Sequence, residues 1–121
     1  MEHRRGVRQM REELFSREIM LVGREAVERL SRRRVAVFGL GGVGGHAAEA
    51  LARAGVGEID LVDADRVSLS NLNRQLIATL ETVGRLKVEV MAERIAQVNP
   101  FCKVRCHSLF YLPETAAELD L

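Results

Sequence analysis

Apolar positions recur along this chain with two different periods. Leu14, Phe15, Ile19 and Val22, then Ala26, Val27 and Leu30, follow helical spacing, and Gly23 divides them into two short helices. No element is assigned before Leu14. Val35-Ala-Val-Phe38 is a short apolar, β-branched run bounded by Gly39, which predicts a buried strand. Residues 43–54 place Ala47, Ala50, Leu51 and Ala54 on one face of a helix that ends near Gly55. Ile59-Asp-Leu-Val62 predicts a second strand, and residues 64–80 are polar and irregular. A helix is then predicted from about Val83 to Val98, with Val88, Met91, Ala92 and Ile95 as its apolar stripe and Asn99-Pro100 as its stop. Lys103–His107 alternates as a third strand, and Pro113 opens a last short helix, Glu114–Leu119.

Strands alternating with helices predict an α/β fold with a parallel sheet. The expected architecture is half of a Rossmann-like sheet, of about three strands, preceded by N-terminal helices. Two parts follow: an N-terminal helical arm over residues 1–33 and a nucleotide-binding half over residues 34–121. Length agrees, because 121 residues suffice for one core but for only half of a typical doubly wound fold.

Composition narrows the class. The chain is 47% hydrophobic, 29% charged and 4% aromatic, which fits a globular domain and excludes disordered and collagen-like chains. No apolar run reaches the roughly 20 residues of a membrane span, and Met1-Glu-His-Arg-Arg has no apolar core behind it, so a cytoplasmic protein is expected. Cys102 and Cys106 make no disulfide framework and, like His3, His46 and His107, lack metal-ligand spacing. The net charge of +1 hides an asymmetry. Residues 1–34 carry ten Arg and six Glu, net +4, against net −3 for the remainder. Such an arm is either a solvated helical face or a steering surface for a polyanion such as RNA.

Candidate chemistry begins at Gly39-Leu-Gly41-Gly42-Val-Gly44, between the first strand and a helix. Glycines there permit a tight turn and close approach of phosphates, and the helix N-terminus offers unpaired N–H groups to an anion. Asp63 ends the second strand nineteen residues after Gly44, where a carboxylate can bind a ribose; Asp65 is a second ligand or a turn residue. To this point an NAD site and an ATP site look alike. Ser70-Asn71-Leu-Asn-Arg74-Gln75 then gathers amides and a guanidinium beyond the strand's end. Arg74 has the fork geometry for phosphate oxygens. Lys87, in the first turn of its helix with Thr82 as the cap, opposes the helix dipole. A nearby triphosphate would explain that cation; so would a solvated surface lysine.

These four segments, Gly39–Gly44, Leu61–Asp65, Ser70–Gln75 and Val83–Lys87, resemble the ATP-binding signature of the ubiquitin-activating-enzyme-like superfamily. Leu14-Phe-Ser-Arg17, Ala47–Gly57, Lys87–Ile95 and Val98-Asn-Pro100 are more similar to its tRNA-modifying branch, the dehydratases that cyclise threonylcarbamoyladenosine with ATP. The resemblance covers about residues 14–105. It implies that Gly39, Gly41, Gly42 and Gly44 pack beside the nucleotide phosphates and that Asp63, with Asp65, faces the ribose. Asn71, Arg74, Gln75 and Lys87 would hold the triphosphate, and Arg17 would reach the phosphates of a partner subunit in a homodimer. Arg17, Arg74 and Lys87 are then the residues expected to act in catalysis.

The implied reaction is attack of a substrate carboxylate on the α-phosphate of ATP, giving an acyl-adenylate and pyrophosphate, with Mg²⁺ bridging oxygens. No metal ligand is assigned within the chain; the family's metal-binding aspartate is expected beyond residue 121, and a chain ending here would be inactive alone. The expected substrate is tRNA. The alternative is adenylation of a ubiquitin-like sulfur-carrier protein, with a sulfur-transfer protein as a further partner. A non-catalytic NAD-binding module is the alternative of another class, and the Ser70–Gln75 motif with Lys87 speaks against it.

Overall fold

Three parallel strands carry the fold: β1 (Arg34–Phe38), β2 (Glu58–Val62) and β3 (Lys103–His107), in spatial order β1-β2-β3. The computed structural model describes residues 2–120. Pairing runs without a slip, Arg34 to Glu58 through Phe38 to Val62 on one side and Glu58 to Lys103 through Val62 to His107 on the other. Central β2 is therefore the most enclosed, with Ile59, Asp60, Leu61 and Val62 all buried. The N-terminal arm comprises α1 (Glu2–Leu14), α2 (Ser16–Val22) and α3 (Arg24–Leu30). The crossovers are α4 (Gly42–Ala54) and α5 (Lys87–Val98).

Side chains alternate across a strand, and here the two faces meet different fates. Ile59 and Leu61 join Val35, Val37 and Val104 against α4 and α5, in a core completed by Ala48, Ala52, Val88, Met91 and Ile95. Burying each large aliphatic side chain contributes about 1.5–3 kcal/mol. The small residues of α4 leave room for α5, and the ends of the two helices are joined by Asn99. Its Nδ2 donates to the Ala52 carbonyl (2.8 Å), and its Oδ1 accepts the Phe101 N–H (3.0 Å). The asparagine of Val98-Asn-Pro100 thus supplies a second donor to a carbonyl in the last turn of α4 that also accepts the Gly55 N–H (3.2 Å).

On the opposite face, fully buried Asp60 accepts a two-pronged hydrogen bond from Arg34 of β1 (2.7 and 3.1 Å) and pairs with His107 Nε2 of β3 (2.9 Å). The Arg34 guanidinium foremost, then His107, holds the Asp60 carboxyl below the usual carboxylate range, against the opposing effect of burial. The segment after β3 folds back over this face. Leu119 is fully buried, Arg34 donates to the Asp120 carbonyl (3.0 Å), and Tyr111 packs on Phe38 with ring centroids 4.8 Å apart. The arm is docked by Phe15, 5% exposed, whose ring lies against Gly55 so closely that a Cβ there would come within 3.1 Å of it.

The predicted strands and α4 appear within one residue of their expected bounds, and the two short helices meet at Gly23. Four details differ. The helix expected from Val83 begins at Lys87, because residues 84–86 pair with the loop after β2: Val67 N–H donates to Arg85 O and Gly84 N–H to Val67 O, both at 2.8 Å. Gly84 turns the chain there with φ +91°, a conformation that disfavours any other residue. Thr82 accordingly does not cap α5; its Oγ1 accepts the Thr79 N–H (2.9 Å) and donates to Ile77 O (2.7 Å), and Leu86 precedes the helix. The last helix shrinks to a 3₁₀ turn, Ala116–Glu118. Before Leu14, where no element was expected, lies α1. Among the described residues no helix is long and apolar enough to cross a membrane.

Candidate functional site

The loop Gly39–Gly44 leaves the carboxyl end of β1 and enters α4, and the acid at the end of β2 holds it in place. Asp63 Oδ2 accepts the Leu40 N–H and Oδ1 accepts the Asp65 N–H, each at 2.7 Å. The Asp65 carbonyl in turn accepts the N–H of Lys87, the first residue of α5 (3.0 Å). One short chain of hydrogen bonds therefore connects the glycine loop, the turn after β2 and the start of α5. Gly44 lets helix and loop close up: a Cβ there would stand 1.7 Å from the Gly39 carbonyl oxygen. Gly42 differs. A Cβ built on it meets nothing within 4 Å, so the protein's own packing does not require glycine there.

Behind the loop stands Gln75. It is 9% exposed, its Nε2 would lie 3.6 Å from a Cβ on Gly41, and its Oε1 is buried without a hydrogen-bond partner. An unsatisfied buried amide oxygen costs about 1–3 kcal/mol. Gln75 is set there by the 3₁₀ turn Leu69–Asn71: its N–H donates to Asn71 O (2.9 Å). Asn71 is itself buried, and its Oδ1 closes the turn by accepting the Ser68 N–H (2.9 Å).

Lys87 is 6% exposed, and its ammonium makes no hydrogen bond or ion pair among the described residues. The stem is buried, but Nζ is not among the buried polar atoms that lack a partner. The ammonium tip is therefore open to a ligand, at a helix start whose dipole disfavours a cation. The site can accept an anion. Loop N–H groups and a cation unpaired among the described residues stand on adjoining segments, with open space above Gly42 for a group to approach the backbone; the unused Gln75 Oε1 is an acceptor and awaits a donor.

Not every expected residue joins this set. Arg74 is exposed, and its Nη1 donates to Ser70 O (3.0 Å) and Asn73 Oδ1 (2.9 Å), so the guanidinium folds back on its own turn. Nη2 and Nε make no hydrogen bond among the described residues. Arg17 lies exposed on α2, in no ion pair among the described residues, and the fold does not bring it to the loop. The two cysteines have thiols pushed up by burial, and Cys106 Sγ lies 3.4 Å from Val88 O; neither has the lowered pKa of a nucleophile. Among the described residues no three His, Cys, Asp or Glu stand together as a metal site.

A feature absent from the sequence reading lies beside Asp63. A cavity of about 200 Å³ is lined by Phe38, Gly39, Asp63, Asp65, Phe110 and Tyr111. Its aromatic rings come from the end of β1 and the segment after β3, more than seventy residues apart in the chain. No periodicity links them; a paired apolar residue at each strand's end was the available signal.

Comparison with known proteins agrees with this geometry. The tRNA threonylcarbamoyladenosine dehydratase of Bacillus subtilis is 54% identical over 101 residues, which are 84% of this chain and 40% of that protein. The sulfur carrier protein adenylyltransferase of Thermus thermophilus is 39% identical over 93% of this chain and 43% of its own length. Among solved structures, Escherichia coli tRNA N6-threonylcarbamoyladenosine dehydratase in complex with ATP superposes with a TM-score of 0.85 at 44% identity, over 88% of this chain and 44% of that one. The chain thus spans about two fifths of the length of these relatives. The ThiF family pattern matches residues 15–119, from the buried Phe15 to the buried Leu119, and the chain belongs to the ThiF family.

Proposed function

We propose that this chain is the nucleotide-binding part of an enzyme that uses ATP to activate a carboxylate by adenylation. Its substrate is the threonyl carboxylate of threonylcarbamoyladenosine in tRNA, which the reaction cyclises. The observation that carries the reading is Lys87, whose side chain is packed into the fold and whose ammonium, with no counter-anion among the described residues, stands at the end of a hydrogen-bonded chain from the glycine loop. A triphosphate supplies the missing charge. The similarity to dehydratases at up to 54% identity supports the choice of substrate. With tRNA as substrate, the expected location is the cytoplasm.

ATP supplies a phosphorus to which the carboxylate is joined, turning a carboxylate oxygen into part of a leaving group. The chain's own residues bind and orient. N–H groups of Gly41–Gly44 and the start of α4 face the phosphates, as helix N-termini do for anions. Gly42 keeps the backbone open to them. Lys87 stabilises negative charge that develops as pyrophosphate departs, Arg74 turns its free Nη2 and Nε towards the same oxygens, and Asn71 and Gln75 position the loop around them. Asp63 combines two tasks, holding Leu40 N–H with one oxygen while its remaining lone pairs face the ribose. The cavity between Phe38, Phe110 and Tyr111 takes the base. Arg17 acts from a second copy of the chain. Mg²⁺ accompanies ATP, its protein ligand being expected outside residues 1–121.

Thermal-shift titration tests the site: Mg·ATP raises Tm, and NAD⁺ or NADH does not. Lys87→Met leaves the Tm of the ligand-free chain unchanged or raises it slightly, because a cation opposed to the helix dipole is removed, and abolishes the response to Mg·ATP. Stabilisation by NADH equal to that by Mg·ATP would sink the reading. For the substrate, the full-length enzyme releases pyrophosphate with threonylcarbamoyladenosine-bearing tRNA. Release only with a ubiquitin-like carrier protein would reassign it to carrier activation.

A further inference from the structure

The positive charge of the arm is concentrated in one groove. On α1, Arg4, Arg8 and Arg11 follow the i, i+4, i+7 spacing of a single helix face, rising about 6 Å and then 4.5 Å along the axis. All three are exposed, and none is in an ion pair among the described residues. They look onto two adjoining cavities of about 400 and 390 Å³, both bordered by Arg8 and Arg11. One has Phe101, just before β3, on its far wall; the other has Arg32, beyond α3. The Arg11 guanidinium carbon lies 5.7 Å from the centre of the Phe101 ring, a cation–π contact that holds the side chain towards the groove. Carboxylates do not cancel the charge. Glu12 is taken by Arg24, whose hydrogen bond holds it below the usual carboxylate range, and Glu28 alone remains.

We propose that this groove binds the phosphodiester backbone of RNA. The inference rests on the reading of the protein as a tRNA-modifying enzyme and adds where the RNA lies: along α1, outside the nucleotide site. Four guanidiniums in no ion pair among the described residues, Arg4, Arg8, Arg11 and Arg32, line a concave surface, and arginine's planar fork matches phosphate oxygens in pairs. The recognition is of backbone and not of sequence, since the groove has only Phe101 and the buried Phe15 as aromatic rings and no run of stacking residues. Residues 35–121 are net negative, so the charge that steers a polyanion lies on the arm to which this groove belongs.

The test is fluorescence anisotropy of labelled tRNA with the chain between about 50 and 200 mM salt. Each phosphate contact contributes roughly 0.7–0.9 to the slope of log K against log salt. Replacing Arg4, Arg8 and Arg11 together by Gln lowers that slope by about 2 and weakens binding at least tenfold at about 100 mM salt. The same three positions as Lys keep most of the slope, which separates lost charge from a disturbed helix. An unchanged slope and affinity in the Gln variant would overturn the proposal. So would tighter binding of the parent chain to vesicles of phosphatidylcholine with about 30% phosphatidylserine than to tRNA. The Mg·ATP response of the same proteins separates the two readings. RNA binding lost with the ATP response intact supports the groove. RNA binding that depends on these arginines in a chain without any ATP response also supports the groove, and refutes the activating-enzyme reading.

Discussion

A methyl group on Gly44 would stand 1.7 Å from a backbone oxygen that cannot move aside, whereas one on Gly42 meets nothing within 4 Å. Gly44→Ala therefore costs about 3 kcal/mol or more through overpacking, visible as a large fall in Tm. Gly42→Ala, at the first position of α4, leaves stability unchanged or raises it by up to about 1 kcal/mol, yet removes the Mg·ATP response. Equal melting behaviour of the two variants would contradict these separate roles. Both glycines were recognisable in the sequence as parts of one motif, and the packing that separates them was not. Asp63 is similar. Its spacing after Gly44 marked it as a ribose ligand, but only the structure pairs it with Leu40 N–H and makes it the clamp of the loop. Lys87 was legible as a cation in an unfavourable place; the burial of its stem was not, because burial depends on what packs around it.

At the scale of elements, Arg34, Asp60 and His107 tie all three strands together on the face away from α4 and α5. Asp60 had the pattern of an alternating strand residue and gave no sign of a network, since its partners lie 26 and 47 residues away. Its carboxyl is held below the usual range, so the charged form is favoured by folding. That contribution is complete above the unfolded value near 3.9 and is lost as pH falls through the lower native one. Arg34→Met removes the largest cause of the shift, leaves a buried carboxylate with His107 alone, and destabilises the fold near neutral pH. It also flattens the loss of stability below about pH 4. Urea unfolding between pH 2.5 and 7 checks both, and parallel curves for parent and variant would show that the pair carries no linkage. The start of α5 was misplaced for the same kind of reason. Local periodicity runs through Val83, but residues 84–86 are claimed by hydrogen bonds to Val67 and a bridge between Arg66 and Leu86.

In the whole molecule, the arm meets the sheet part at Phe15, at Leu30 beside the core, and at Gly57, whose N–H donates to the Leu30 carbonyl (3.3 Å). Phe15→Ala removes about 3 kcal/mol of packing, and the loss falls on the arm. Hydrogen exchange should quicken across residues 16–30 while the amides of β2 stay protected; uniform acceleration would mean that arm and sheet unfold as one. What the sequence by itself determined here is everything local or periodic: the strands, α4, the division at Gly23, the glycine loop and the order of the motifs. Period, turn residues and spacing are properties of neighbouring positions, so they are written in the chain. The tertiary structure decided which polar groups are left without partners. It gathered Phe38 with Tyr111, Asp60 with Arg34 and His107, and the arginines of α1 with Phe101. It also left Gln75 Oε1 without a partner among the described residues beside the loop. Burial and pairing are sums over residues brought together from distant parts of the chain, and no local pattern contains them.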